Sequence, residues 1–82
     1  MQTYSNLGGD SGVLAYQIGD DNIIVQFNKG QDTFYKYTYS STGSPVVEVL
    51  KNLARHGRGL NSYISTNKPG YSLKAASLSG LY

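Results

Sequence analysis

The sequence predicts an α+β domain: a three-stranded antiparallel β-meander packed by one main α-helix and a short C-terminal helical turn. Three observations predict it. Two short β-branched and aromatic runs, Val13–Ile18 and Ile23–Phe27, are separated by the turn residues Gly19-Asp20-Asp21-Asn22. The run Tyr35-Lys36-Tyr37-Thr38-Tyr39 then sets aromatic rings at period two, which is one face of a single strand. After Ser44-Pro45, Val46, Val49, Leu50 and Leu53 recur at three- and four-residue steps, the spacing of an amphipathic helix.

Taken in order, residues 1–12 are polar and glycine-rich and read as a flexible lead, with Gly8-Gly9-Asp10-Ser11-Gly12 as its loop. The domain proper spans 13–71. Asn28-Lys29-Gly30 suits a three-residue hairpin loop in which Gly30 adopts the positive φ that other side chains resist. The third strand follows from about Asp32 to Tyr39. With that loop Phe27 faces Gln31, Val25 faces Thr33 and Ile23 faces Tyr35. Ile23, Val25 and Phe27 therefore share a face with Tyr35, Tyr37 and Tyr39, while Ile24, Gln26, Phe34, Lys36 and Thr38 share the other. Ser40–Gly43 is a polar loop, Ser44 the N-cap and Pro45 the first helical residue of a helix that runs to about Arg55, with Lys51 and Arg55 off its apolar stripe. Gly57 stops this helix, and Leu60–Ile64 forms a second short turn with Leu60 and Ile64 on one side. Lys68-Pro69-Gly70 ends regular structure. The tail 72–82 carries scattered apolar residues without a period and receives no element.

Composition bounds the function. A chain of 82 residues buries only roughly 60–65% of its unfolded surface. It has no room for a large enclosed catalytic cavity. Without cysteine there is neither a disulfide nor a thiolate metal site. The opening residues lack the basic start and apolar run of a signal peptide, and no stretch reaches the length of a membrane span, which predicts an unexported, cytoplasmic monomer. Charge is unevenly distributed. Residues 1–44 carry two lysines against four aspartates, a net −2, whereas 45–82 carry five basic residues against Glu48, a net +4. That asymmetry predicts a positive face suited to an anion.

Two groups of side chains are candidates for binding. Tyr35 and Tyr37 read first as core wall beneath the helix, their hydroxyls at the core edge. Stacking falls more readily to the opposite face, where Phe34 offers a ring and Lys36 a phosphate contact. The second group is Lys51, Arg55, His56 and Arg58 around the helix C-terminus, where cations complement the helix dipole and arginine offers bidentate contact to phosphate or carboxylate. Asn61 is expected to cap or bridge the turn after Gly57. Catalysis and metal binding find no support: His56 has no partner singled out by spacing, and turn chemistry accounts for Asp20-Asp21-Asn22. Gly57-Arg58-Gly59 lacks the strand and lysine context of a phosphate-cradling loop.

The ordered combination of Tyr16, then Ile23, Val25 and Phe27, Gly30, the pair Tyr35 and Tyr37, and His56-Gly57-Arg58 with Leu60, Asn61 and Ile64 resembles the KTSC domain. That short module occurs at the C-terminus of some lysyl-tRNA synthetases and as stand-alone bacterial and phage proteins. Ser5-Asn6-Leu7 matches its opening segment. This chain departs from the family by extra residues around Gly8–Ser11 and between Gly30 and Tyr35, by a longer loop before Pro45 and by the tail. The family has no established activity, and the resemblance implies RNA binding through association with a tRNA enzyme. The function expected is a small non-catalytic domain without cofactor or metal that binds RNA through Phe34, Lys36, Lys51, Arg55, His56 and Arg58. The alternative is a protein-interaction module presenting Ile24, Phe34 and a strand edge.

Overall fold

The Gly19–Asp21 turn reverses the chain, with the Gly19 N–H donating to the Asn22 carbonyl at 2.9 Å. It joins two neighbouring strands of a single antiparallel sheet. The computed structural model describes residues 1–7, 12–28, 30 and 33–81. Among these, five strands lie in sequence order: β1 (Gln2–Thr3), β2 (Val13–Ile18), β3 (Asn22–Phe27), β4 (Phe34–Thr38) and β5 (Leu73–Ala75). Three helices, α1 (Tyr39–Thr42), α2 (Ser44–His56) and α3 (Leu60–Asn67), connect β4 to β5, and a 3₁₀ turn follows at Leu78–Leu81.

The α+β class and the central meander agree with the sequence reading; the three-strand count does not. β1 and β5 are two and three residues long, too short to show a period. Their pairing depends on neighbours rather than on their own propensity. The expected flexible lead is also docked along 1–7. Tyr4 is buried, its hydroxyl accepts the Leu60 N–H at 3.3 Å, and the Leu7 N–H donates to the Gly57 carbonyl at 2.7 Å. The proposed loop residues 8–11 lie outside the described residues, as do Lys29, Gln31 and Asp32 of the second hairpin.

That hairpin pairs Val25 with Tyr35 and Ile23 with Tyr37, and the Phe27 N–H donates to the Thr33 carbonyl. The register is thus displaced by two residues from the one a three-residue loop dictates. Parity survives an even displacement, so Ile23, Val25, Phe27, Tyr35 and Tyr37 do share the helix-facing side. Gly30 has the expected positive φ of 88°. In β2 a bulge between Val13 and Ala15 turns both Val13 and Tyr16 inward, which regular alternation forbids for residues three apart.

Tyr39 leaves the stripe. Thr38 accepts the Ser41 N–H, and the Ser41 hydroxyl accepts the Thr38 N–H, a capping box that starts the single-turn helix α1 where a strand end and polar loop are expected. Gly43, rather than Ser44, is the N-cap of α2, with its carbonyl accepting the Val47 N–H at 3.1 Å. The buried face of α2 is Val47, Leu50, Lys51 and Ala54, while Val49 is 38% exposed and Val46 and Leu53 flank the core. The helix is rotated from the predicted stripe because a small residue, Ala54, and a lysine stem share the buried side. Val47, Leu50 and Ala54 join Tyr4, Val13, Tyr16, Ile23, Val25, Tyr37 and Leu60 in the main core. Each fully buried branched aliphatic there contributes roughly 1.5–3 kcal/mol.

The second sheet face is not open. Ile24 is only 1% exposed. Ala75, paired with Phe34, lies on the same face as Ile24, and a Cβ placed on Gly80 would come within 2.8 Å of the Ala75 Cβ. The 3₁₀ turn therefore lies against this face, with Leu81 buried. A segment without periodicity supplies the cover.

Gly57 ends α2 as predicted, with φ 72° and ψ 22° and its N–H on the Leu53 and Ala54 carbonyls. A Cβ there would also lie 2.6 Å from the Ser5 Cβ. Gly57→Val should therefore destabilise the domain by about 2–4 kcal/mol, combining left-handed strain with overpacking. In urea unfolding, adding Ser5→Gly should restore the overpacking part and leave the strain part. Full recovery, or no loss in the single variant, would contradict this account.

Candidate functional site

Where α2 stops at Gly57, the sheet face beyond it is covered only in part. Phe27, Tyr35 and Tyr37 of the sheet, Asn61, Ile64 and Ser65 of α3, and Lys68, Pro69 and Tyr71 of the following segment line a cleft of about 370 Å³. Phe27 and Tyr71 each stand at right angles to Tyr35, with ring centroids 5.4 and 5.0 Å away, and Tyr37 lies stacked beside Tyr35 at 6.5 Å. Edge-to-face and offset contacts of this kind hold the rings in fixed relative orientation.

Local hydrogen bonds position the far wall. The Lys68 N–H donates to the Ile64 carbonyl at 2.8 Å as α3 ends, with Lys68 itself at φ 47°. The Thr42 hydroxyl donates to the Gly70 carbonyl, and the Ser72 N–H donates to the Lys36 carbonyl at 2.7 Å. Tyr71 is thereby held between two anchors, over Tyr35. It is 43% exposed, and Lys74 Nζ sits 5.8 Å from its ring centroid. Burial, with the Tyr35 and Tyr71 phenols adding to it, pushes the Tyr37 hydroxyl far above the usual phenol range. It stays neutral at any ordinary pH.

The six residues singled out from sequence do not converge. Lys51 is 4% exposed, and its Nζ donates to the Asp20 carbonyl and pairs with Glu48 Oε2, both at 2.9 Å. It ties α2 to the β2–β3 turn and is no part of a cationic surface. Tyr39 donates to the same Glu48 oxygen at 2.6 Å, and Lys51 Nζ lies 5.5 Å from the Tyr39 ring centroid. Phe34 and Lys36 are half-buried on the face where the 3₁₀ turn packs, paired with Ala75 and Leu73. That pairing removes the open stacking platform. Arg55, His56 and Arg58 are exposed around the Gly57 cap, with Arg55 Nη1 3.4 Å from Asn52 Oδ1 and His56 Nδ1 2.7 Å from the Asn52 carbonyl oxygen. Asn61 makes no cap for α3, whose N-cap is Gly59, and lines the cleft instead.

Sequence reasoning missed Phe27, Asn61, Ile64, Ser65, Lys68, Pro69 and Tyr71 as a group. One signal was present: Asn61 and Ser65 recur at a four-residue step on the helix that must face the tyrosine strand, with Lys68 just past its end. Among the described residues no three His, Asp or Glu side chains gather as a metal site, and no helix is long and apolar enough to cross a membrane.

This geometry bears on stability in two ways. Tyr37, 2% exposed, should cost about 3–5 kcal/mol when replaced by alanine, whereas Tyr71→Ala should cost under about 1 kcal/mol, as read by urea unfolding. Equal losses would mean that the cleft wall is part of the core. The other effect concerns acid. The Tyr39 hydroxyl and then the Lys51 ammonium hold the Glu48 carboxyl below its ordinary 4.5, so its contribution is complete above that value and is lost as the pH falls through the lowered one. The melting-temperature gap between wild type and Glu48→Gln should be present at pH 7 and close on acidification. A gap unchanged to pH 2 would refute it.

Comparisons of the chain with family models, with curated proteins and with solved structures return no match.

Proposed function

We propose that this chain is a small non-catalytic binding domain for single-stranded RNA, acting in the cytoplasm as a monomer. The observation that carries the reading is the cleft: four aromatic rings, edged by Lys68, with no carboxylate among the described residues that line it. Stacking of unpaired bases on aromatic side chains, with cations meeting the backbone, is how proteins hold single strands. Arg55, His56 and Arg58 serve the phosphates; Arg58 precedes Asn61 by three residues, at the start of the cleft-lining helix. Lys51 has no such role, because its ammonium is committed to Asp20 and Glu48.

The resemblance to the KTSC domain points in the same direction. The non-catalytic part rests on chemistry: the one histidine, His56, is exposed with Nδ1 against a backbone carbonyl. Burial of Ile24 weighs against a protein-interaction module built on the second sheet face.

The test is fluorescence anisotropy of labelled single-stranded RNA and of tRNA across a salt series. Affinity should fall with salt, and Arg55→Ala and Arg58→Ala should each weaken it with little sequence dependence and flatten the logarithmic salt slope by about one unit or less. Lys51→Met should leave the slope unchanged in the folded protein. Absence of salt-sensitive binding to any RNA would end the proposal.

A further inference from the structure

We infer that the cleft is a pocket for one nucleotide, taking a single unpaired base against its wall of aromatic rings and its phosphate at Lys68. The inference rests on the RNA reading for the identity of the occupant and adds the site, its size and its chemistry.

Three observations lead there. The first is volume. About 370 Å³ is at the small end of the roughly 300–1,000 Å³ of small-molecule pockets, enough for one ring system and its substituent but not for a peptide or a duplex. The second is charge. An arrangement of rings at right angles also describes the boxes that hold quaternary ammonium groups. Here, however, Lys68 lines the space, Lys74 Nζ already lies over Tyr71, and no Asp or Glu is among the described residues of the lining. A cationic guest would meet positive charge from that lining without compensation; a flat ring bearing an anion meets both of its complements.

The third observation is the polar pair on α3. Packing alone would put apolar side chains on the side of α3 that faces Phe27 and Tyr35, and Ile64 is such a residue. Asn61 and Ser65, one turn apart on the same helix, face the same cleft. An amide and a hydroxyl between them provide donors and acceptors, as the edge of a nucleobase requires. An aromatic carboxylate would use only the donors of that pair, whereas a base edge engages donors and acceptors together. Tyr37, its hydroxyl held neutral by burial, also belongs to the lining.

The experiment is a titration of the full chain with the four nucleoside 5′-monophosphates, the matching nucleosides, inorganic phosphate and choline, followed by amide and aromatic NMR shifts. Monophosphates should perturb Tyr35, Tyr71, Asn61, Ser65 and Lys68 together. Tyr71→Ala, whose fold is checked by its melting curve, should weaken binding roughly tenfold. Lys68→Gln should weaken the monophosphates several-fold and leave the nucleosides unchanged. Stronger binding of choline, or shifts with phosphate alone at Lys68 and none at the rings, would overturn the inference. So would cleft resonances unmoved by every nucleotide at millimolar concentration. Salt-sensitive RNA binding that depends on Arg55 and Arg58 with an unmoved cleft would sink the pocket and leave the proposed function standing. Monophosphate binding in the cleft without any RNA binding would do the reverse.

Discussion

The helix-facing side of the sheet depends on one pairing, Ile23 with Tyr37 and Val25 with Tyr35. Because side chains alternate along a strand, that register places two fully buried aliphatics and two tyrosines on the same surface. A one-residue slip of β4 against β3 would send both tyrosines outward and bring Lys36 and Phe34 beneath α2. Nothing in α2 could satisfy Lys36 there, since its buried side is Val47, Leu50, Ala54 and a lysine of its own. The register is therefore fixed as much by the buried cation it avoids as by the apolar packing it permits.

Lys51 shows how a helix can give a buried position to polar chemistry. Its stem lies in the apolar side of α2, and its ammonium emerges at the β2–β3 turn onto the Asp20 carbonyl, with Glu48 and the Tyr39 ring beside it. The Glu48 carboxylate is half-exposed, so the ion pair itself adds little, and the bond to the Asp20 carbonyl is the more significant part. Through it the main helix recognises one particular turn. The capping box at Thr38 contributes to the same junction by turning Tyr39 out of the strand and toward Glu48. Counting charges along the chain treats Lys51 and Arg55 as equivalent; the fold separates them by burial.

What the sequence made legible is what local chemistry controls. Turn residues at 19–22, the alternation of β3 and β4, Pro45 near a helix start and Gly57 at its end all state their roles within a few neighbours. Parity was legible even though the register was off by two, because parity depends only on whether the displacement is even. The rest depends on distant partners. Two residues at Gln2–Thr3 carry no period, and they form a strand because β2 offers an edge; Leu73–Ala75 does so against β4. The exposed-looking Ile24 is buried by a segment more than fifty residues later that has no pattern of its own. Among candidate site residues, Arg55, His56 and Arg58 were legible as exposed side chains at a helix end. The cleft was not, because Phe27, Tyr35, Lys68 and Tyr71 come from three separate stretches.

The cleft itself follows from where α2 ends. Gly57 lets the chain turn while Ser5 and Leu7 pack against it, and this fixes the start of α3 through the Tyr4 hydroxyl on the Leu60 N–H. α3 then seals its first residue, Leu60, completely and leaves Tyr63 and Ile64 half-buried. Had Asn61 and Ser65 been leucines, the rings of Phe27 and Tyr35 would have acquired apolar cover worth roughly 1.5–3 kcal/mol for each side chain buried. In a chain of this size, whose net stability is only a small residue of large opposing terms, forgoing that cover is a substantial concession. Asn61 and Ser65 are thus held opposite a wall of aromatic rings, on a helix whose Leu60, Tyr63 and Ile64 do pack on the core, and it is on this departure from apolar packing that the proposed base pocket rests.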